Sequence, residues 1–436
     1  MEITQKARER AKALIRFIDQ APTAYQATEQ EKAILEKAGF TALDPAMRWE
    51  LKPHTGYYVE ISDATILAFR TSDKADAGFH IIGAHNDSPG FQLKQNVNRH
   101  RAGYGVLNVE PYGGLIMRSW LDRPLSIAGR LLVKDGNGGF AVKKIRIERP
   151  LLILPSLAIH MDREVNAKGE IKPQSMPQSM MEPLWCTEEE GEHGDFLEVV
   201  AKEVGVAREE ILDYDLFLYD IQKGVLLGEQ EEFISIGRLD NLAMCHAAVT
   251  ALSEAETGAY HQVIALHDHE EIGSMTRKGA DSATLRNVLA RLVRGLGGDA
   301  EDFDIATAKS FTISCDMAHA VHPNFSDVAD PTNQPRINHG PVLKYAASKS
   351  YITDGEGGAR VRLYAEKAGV TFQTFHNHSD KRGGATIGSM DEQWTTILNA
   401  DVGNPVLGMH SVRELTGVAD HDAMIRTLTA FLSDAQ

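Results

Sequence analysis

The side chains of this sequence that could bind a metal and move a proton fall in five short segments. Ala84-His85-Asn86-Asp87 ends the apolar run 79–84, with a carboxylate two residues after an imidazole. A zinc-binding imidazole needs an acceptor for its other ring N–H, and Asp87 is a candidate for that role. Gly237-Arg238-Leu239-Asp240 stands at the start of a helical pattern. There Asp240 reads either as an N-cap or as a carboxylate with both oxygens available to bridge two metals. His267-Asp268-His269-Glu270-Glu271 follows the apolar run 263–266. Neighbouring glutamate side chains diverge, so one can bind a metal while the other faces water as a general base. Asp316 ends a further apolar run and is followed by His319 and His322, and His410 stands at another strand end.

Nitrogen and oxygen donors without thiolates suit zinc, manganese or cobalt, in an open catalytic site rather than a closed structural one. Coordination can bring the pKa of water from about 15.7 to about 7, and two ions roughly 3.5–4 Å apart can hold both that nucleophile and a scissile carbonyl. The pattern is not the helical His-Glu-x-x-His signature, because Glu270 and Glu271 follow His269 directly.

Such residues can meet only if the chain delivers strand ends to one place. Ala11, Leu14, Ile15 and Ile18 recur at helical spacing in an N-terminal stretch of helices. Segments 57–61 and 65–69, joined by Ser62-Asp63-Ala64, predict a hairpin. From Asp240 onward helical patterns at 241–253, 282–296, a stretch closing at 364–368, and 421–432 alternate with strand-like runs at 261–266, 311–315, 370–375 and 405–409. That alternation predicts a layered α/β sheet, with ligands in the crevice beyond the strand C-termini. The stretch 98–235 has another texture: strand-like runs at 126–133, 140–147 and 151–154, many turn signals, and a Pro/Met/Gln-rich segment at 172–183. The expected organisation is one α/β domain, 1–97 and 236–436, split by an inserted β-rich domain at 98–235.

The 61 Asp and Glu against 45 Lys and Arg give a formal charge of −16. That balance argues against a nucleic-acid backbone or an anionic membrane as partner, since both need a basic face. Three scattered cysteines, Cys186, Cys245 and Cys315, make no disulfide framework and fit a reducing compartment. The N-terminal residues lack an apolar signal core, and the longest apolar stretch, 151–159, is broken by Pro155. A cytoplasmic protein is expected.

In order and spacing, the set His85-Asn86-Asp87-Ser88-Pro89, Arg238-Leu239-Asp240-Asn241-Leu242, Asp268-His269-Glu270-Glu271-Ile272-Gly273-Ser274, Asp316-Met317-Ala318-His319-Ala320-Val321-His322-Pro323-Asn324 and Met409-His410-Ser411-Val412-Arg413-Glu414 resembles the aspartyl aminopeptidase family. The resemblance spans nearly the whole chain. It implies a mixed-sheet α/β/α metallopeptidase domain whose insertion dimerises. It implies two zinc ions per subunit, with Co2+ or Mn2+ able to substitute, held by His85, Asp240, Glu271, Asp316 and His410. Asp240 would bridge, His85 and Asp316 would hold one ion, and Glu271 and His410 the other. Glu270 would be the general base, with Asp87 beside it. Leu157-Ala158-Ile159-His160 implies that His160 acts in a neighbouring subunit's site, and His319, Lys344 and Tyr351 match substrate contacts. Peptides with an acidic first residue are the implied substrates, with Lys344 as the matching cation, and a tetrahedral dodecamer is the implied assembly. The stretch Gly384-Ala385-Thr386-Ile387-Gly388 departs from the family pattern, which has Ser where Ala385 stands. Two other readings remain open: a dinuclear amidohydrolase acting on N-acyl amino acids, and a catalytically silent scaffold. A scaffold would be expected to lack a ligand or the base, and all six positions carry competent residues.

Overall fold

The computed structural model describes residues 1–165, 181–187, 194–381 and 383–435, so most of the Pro/Met/Gln-rich segment 172–183 lies outside the described residues. The chain forms two compact units. The first comprises Met1–Asp87, Gly224–Met409 and Glu414–Gln436; the second comprises Ser88–Lys223 and His410–Arg413. The second unit thus differs from the expected span 98–235. Asn98 lies inside the strand Gly90–Arg101, and Ser235 lies inside the strand Phe233–Ile236. A change in texture along the sequence marks where turns accumulate, and here that falls within strands rather than between units.

The first unit is built on a nine-stranded mixed sheet. Its strands are β1 (Thr41–Ala42), β2 (Gly56–Ile61), β3 (Thr65–Arg70), β4 (Phe79–His85), β5 (His261–His267), β6 (Phe311–Cys315), β7 (Val342–Tyr345), β8 (Gln373–His376) and β9 (Asn399–Gly403), in spatial order β1-β2-β3-β5-β4-β6-β9-β7-β8. The expected hairpin is β2–β3, and β4 lies parallel to both β5 and β6. Every residue of β4, β5 and β6 is buried, which is why these strands read as continuous apolar runs instead of alternating ones.

Alternate residues of the strands feed two cores. Ile82, Ala84, Ile264, Leu266 and Ile313 pack with helices α1 (Gln5–Gln20), α2 (Ala24–Lys37), α3 (Leu239–Glu254) and α4 (Val418–Leu432). Phe79, Ile81, Val263 and Ala265 pack with Leu285, Val288, Leu289 and Leu292 of the helix Thr284–Gly295. The result is a three-layer α/β/α arrangement. A five-stranded sheet, with strands such as Phe233–Ile236, Glu414–Gly417 and Pro405–Leu407, completes this unit. The second unit is a six-stranded antiparallel sheet with the helix Phe196–Val204 in its own core.

Several imidazoles are sealed inside the first unit. His246 on α3 and His421 on α4 lie Nδ1 to Nε2 at 3.0 Å. Burial, reinforced by Arg10 and Arg16, lowers His246 to about 3. Burial, His246 and Arg10 take His421 well below the ordinary value of 6.5. Burial also lowers His80 and His261 to about 4. These rings are neutral when folded and take up a proton near pH 6.5 when unfolded. Their contribution to stability is therefore full above pH 6.5 and is lost as the pH falls toward their folded values. Each contributes a slope of up to about 1.4 kcal/mol per pH unit in that window. A His246→Leu/His421→Leu variant should accordingly lose stability less steeply than the parent as the pH falls from 6.5 toward about 3. Denaturant midpoints of the metal-free proteins measure this, and parallel curves for the two would contradict it.

Candidate metal centre

Because β4, β5 and β6 are parallel neighbours, their C-terminal ends reach one edge of the sheet. His85 ends β4 in register with His267 at the end of β5. Asp316 follows Cys315, the last residue of β6, and its N–H donates to the Val402 carbonyl of β9 at 2.9 Å. Gly403 lets β9 run close by, since a Cβ there would stand 1.9 Å from the Asp316 carbonyl oxygen. The start of α3 supplies Asp240. Asp240 (φ −80°, ψ 105°) and Asn241 (φ −122°, ψ 19°) have non-helical angles, so the regular helix begins only after them, and Asp240 has the extended backbone of a residue at a helix entrance. The Asp240 N–H donates to Glu414 Oε2 at 3.1 Å, and Asn241 Nδ2 donates to the Cys315 carbonyl at 2.8 Å. These two bonds fasten the helix start to the strand ends.

His85 organises the centre. Its Nδ1 lies 3.1 Å from the Asp87 carbonyl oxygen and 3.3 Å from Asp87 Oδ1. Both oxygens accept, so Nδ1 carries a proton and Nε2 is the nitrogen able to present a lone pair. Nε2 faces Asp240 Oδ1 at 3.6 Å, Asp316 Oδ1 at 3.7 Å and Glu270 Oε2 at 3.8 Å. Those separations are longer than hydrogen bonds. His85, Asp240 and Asp316 offer ligand atoms within 4.8 Å of one another, and so do His85, Glu270 and Glu271.

A lone pair facing three carboxylates in a buried place calls for a positive charge among them. The proton affinities express the same demand. Burial would lower the His85 pKa, but Glu270, Asp240, Asp316 and Asp87 raise it well above the ordinary value. Burial raises Glu270 to about 8; Asp316, Asp87 and Asp240 act in the same sense and His85 opposes them. A divalent cation would satisfy what a proton satisfies here, and the donors are the nitrogen and oxygen types that suit zinc. The residues present fit the group.

Asp87 also does something that its position in the sequence did not reveal. Its Oδ1 and Oδ2 accept from the N–H groups of Glu270 and Glu271, each at 3.1 Å. The two glutamates form a short turn between His269 (φ +66°) and Gly273 (φ +98°), with the Gly273 N–H returning to the Glu270 carbonyl at 2.9 Å. Lys278 donates to Asp268 at 2.8 Å and secures the turn's approach. One carboxylate thus orients the imidazole and holds both glutamates.

The other expected residues fall as follows. Lys344 is 1% exposed, and its Nζ lies 2.8 Å from the Asp316 carbonyl, 3.3 Å from Asp316 Oδ2 and 3.3 Å from the Met317 carbonyl. Its ammonium is therefore engaged with the segment that carries Asp316. Burial opposes its charge, yet Asp316 and Asp401 raise its pKa. Tyr351 is buried beneath that ammonium, 5.2 Å from Nζ to the ring centre. His319 stands on the short strand Ala318–His319, its ring 5.8 Å from that of Phe375. His410 belongs to the second unit, where its Nδ1 donates to the Gly114 carbonyl at 2.9 Å. His160 also belongs to the second unit and is exposed. Glu414, which receives the Asp240 N–H, escaped the sequence reading; its place directly after Met409-His410-Ser411-Val412-Arg413 was the available signal.

Because Asp87 holds three groups, an Asp87→Ala variant should bind zinc about 10- to 100-fold more weakly than the parent. Competition with a coloured chelator measures this; unchanged affinity would remove Asp87 from the support of the centre.

Comparison with known proteins identifies the family. The family described as Aminopeptidase I zinc metalloprotease (M18) matches residues 17–432. A probable M18 family aminopeptidase 2 of Clostridium novyi is 43% identical over 416 residues, covering 94% of this chain and 95% of the relative. One from Streptomyces coelicolor is 39% identical over 425 residues, with 96% of each chain covered. Among solved structures, the complex of Ape4 and Nbr1 contains a chain 33% identical, with a TM-score of 0.94 over 99% of this chain and 88% of that one. The mApe1 dodecamer of S. cerevisiae is 29% identical, with a TM-score of 0.84 over 97% of this chain and 95% of that one. The chain belongs to the M18 family of zinc metallo-aminopeptidases.

Proposed function

We propose that this aminopeptidase removes acidic first residues from peptides, using two zinc ions per subunit and Glu270 as general base. The observation that carries the metal centre and the base is the ring of Asp240, Glu270 and Asp316 oxygens at 3.6–3.8 Å around His85 Nε2, whereas the acidic preference rests on the buried Lys344 cation beside Asp316. His85 and Asp316 would hold one ion, Glu271 and His410 the other, with Asp240 between. When bound, the ions supply Lewis acidity that activates water and polarises the scissile carbonyl. Co2+ or Mn2+ would serve in place of zinc.

The chain's own residues do the rest. Asp87 keeps the His85 proton on Nδ1 and fixes the Glu270 backbone, so the base is presented in one orientation. Glu270 takes a proton from the attacking water and passes it to the leaving amine. Lys344 is the proposed cation for an acidic side chain. Its three N–H groups already have acceptors on Asp316 and Met317, so that role requires one of them to be given up or shared. His319 and Tyr351 are the proposed further substrate contacts.

Self-association is the proposed setting. The S. cerevisiae relative is a dodecamer, and the exposed segment Leu157-Ala158-Ile159-His160 would enter a neighbouring subunit's site in the same kind of assembly, built from dimers. A cytoplasmic location is part of the proposal: three cysteines scattered along the chain fit a reducing compartment. Among the described residues no helix is long and apolar enough to cross a membrane.

The test is a panel of aminoacyl-anilides, dipeptides and N-acetylated dipeptides, assayed after zinc, cobalt or manganese is restored to stripped protein. Asp and Glu substrates should exceed Leu and Ala substrates in kcat/KM, and acetylated peptides should not be cut. Glu270→Ala should retain its zinc while kcat drops between about 10²- and 10⁴-fold. Equal rates across first residues would refute the acidic preference, cleavage of acetylated forms would favour an amidohydrolase, and an active Glu270→Ala enzyme would remove the base.

A further inference from the structure

Beside the centre lies a polar pair that the reaction as described does not use. His267, the last residue of β5, and Asp391, in the helix Gly388–Thr395, lie Nε2 to Oδ1 at 3.4 Å, each with its side chain 1–2% exposed. Among the described residues, neither ring nitrogen of His267 and neither carboxylate oxygen of Asp391 has a hydrogen-bond partner. Gly83 on β4 makes room for the pair: a Cβ there would stand 3.1 Å from Asp391 Oδ2 and 3.2 Å from Ile387 Cδ1.

A buried imidazole and carboxylate with so few partners is weak evidence for stability, since an apolar pair of similar volume is often as stable or more so. The location offers another reason for it. His267 is three residues before Glu270, and its carbonyl accepts the Asn86 N–H at 2.7 Å, locking β5 to the segment between His85 and Asp87. Asp391 sits in the first turn of a helix entered through Thr386 and Ile387. Thr386 in turn donates through Oγ1 to Asp401 at 2.8 Å, and its N–H reaches the Ser350 carbonyl, next to Tyr351. The pair spans the gap between the turn bearing the glutamates and the segments bearing the proposed substrate contacts.

We propose that His267 and Asp391 are positioning residues for the hydrolytic reaction, holding the Glu270–Glu271 turn in register with the segment Thr386–Gly388. The inference rests on the reading of Glu270 as base. The pair acts through main-chain placement: buried together, imidazole and carboxylate can answer each other's polarity only while they stay side by side, and an apolar replacement would fill the volume without that requirement. A displacement of about 1 Å at a catalytic group lowers turnover by up to about 10²-fold.

The test compares zinc-loaded His267→Phe/Asp391→Leu, Asp391→Leu and Asp391→Asn with the parent, recording zinc content, thermal midpoint, kcat and KM. The double variant should fold and keep its zinc, with kcat lowered about tenfold or more and KM within about twofold. Asp391→Asn, which keeps an acceptor for the ring, should retain most of the turnover that Asp391→Leu loses. Turnover unchanged in the double variant, or lost equally in Asp391→Asn and Asp391→Leu, would overturn the assignment. So would a loss of zinc large enough to account for all the lost turnover. If the double variant fails to fold, the Asn and Leu comparison decides alone. Glu270→Ala measured alongside separates the two claims: an active Glu270→Ala enzyme defeats the reading of the base, whereas fully active pair variants beside an inactive Glu270→Ala defeat only the positioning role.

Discussion

A buried imidazole nitrogen surrounded by carboxylate oxygens demands a positive charge, and the architecture of the first unit follows from meeting that demand. His85 Nε2 faces Asp240, Glu270 and Asp316, which come from a helix start, a loop after β5 and the end of β6. Negative charge gathered away from water is costly unless a cation stands within it. A proton on His85 meets the need in part, as its raised pKa records. A divalent ion would meet it more fully, and on the proposed reading would make the same cluster a hydrolytic centre.

The supporting structure is arranged to keep these groups together against their repulsion. Parallel β4, β5 and β6 bring to one edge three chain segments that lie far apart in sequence. Asp87 holds both glutamate N–H groups, Glu414 holds the Asp240 N–H, and Lys344 neutralises part of Asp316. Beneath them lie fully packed apolar cores on both faces of the sheet, in which the neutral rings of His246 and His421 are sealed. Rigidity at the strand ends therefore comes from the core, and electrostatic balance comes from the residues placed around the edge.

Much of this was legible in the residues themselves. The runs before His85 and Asp316 are wholly buried strands, and such strands announce themselves as short apolar stretches. The helices α3 and α4 likewise appear close to their expected limits. Other elements were hidden for physical reasons. β9, Asn-Ala-Asp-Val-Gly, is buried yet half polar, because Asn399 and Asp401 spend their side chains on neighbouring loops. The four residues His410–Arg413 pack with the second unit although both flanks belong to the first, and so short a segment leaves no compositional trace. Likewise, Asp240 has the residue type, position and extended backbone of an N-cap, so no local pattern reveals that its carboxylate also lies beside His85 and Asp316. The contact between His267 and Asp391 joins residues 124 positions apart, as the numbering itself gives, and no local pattern could signal it.

The central claim is that these side chains jointly grip a pair of divalent ions with Asp240 between them. Zinc bound per chain after equilibrium dialysis, for the parent and for Asp240→Asn, tests it most directly. The account predicts about two ions per parent chain and a marked loss of both in a variant that remains folded by circular dichroism. Undiminished zinc in Asp240→Asn would contradict it.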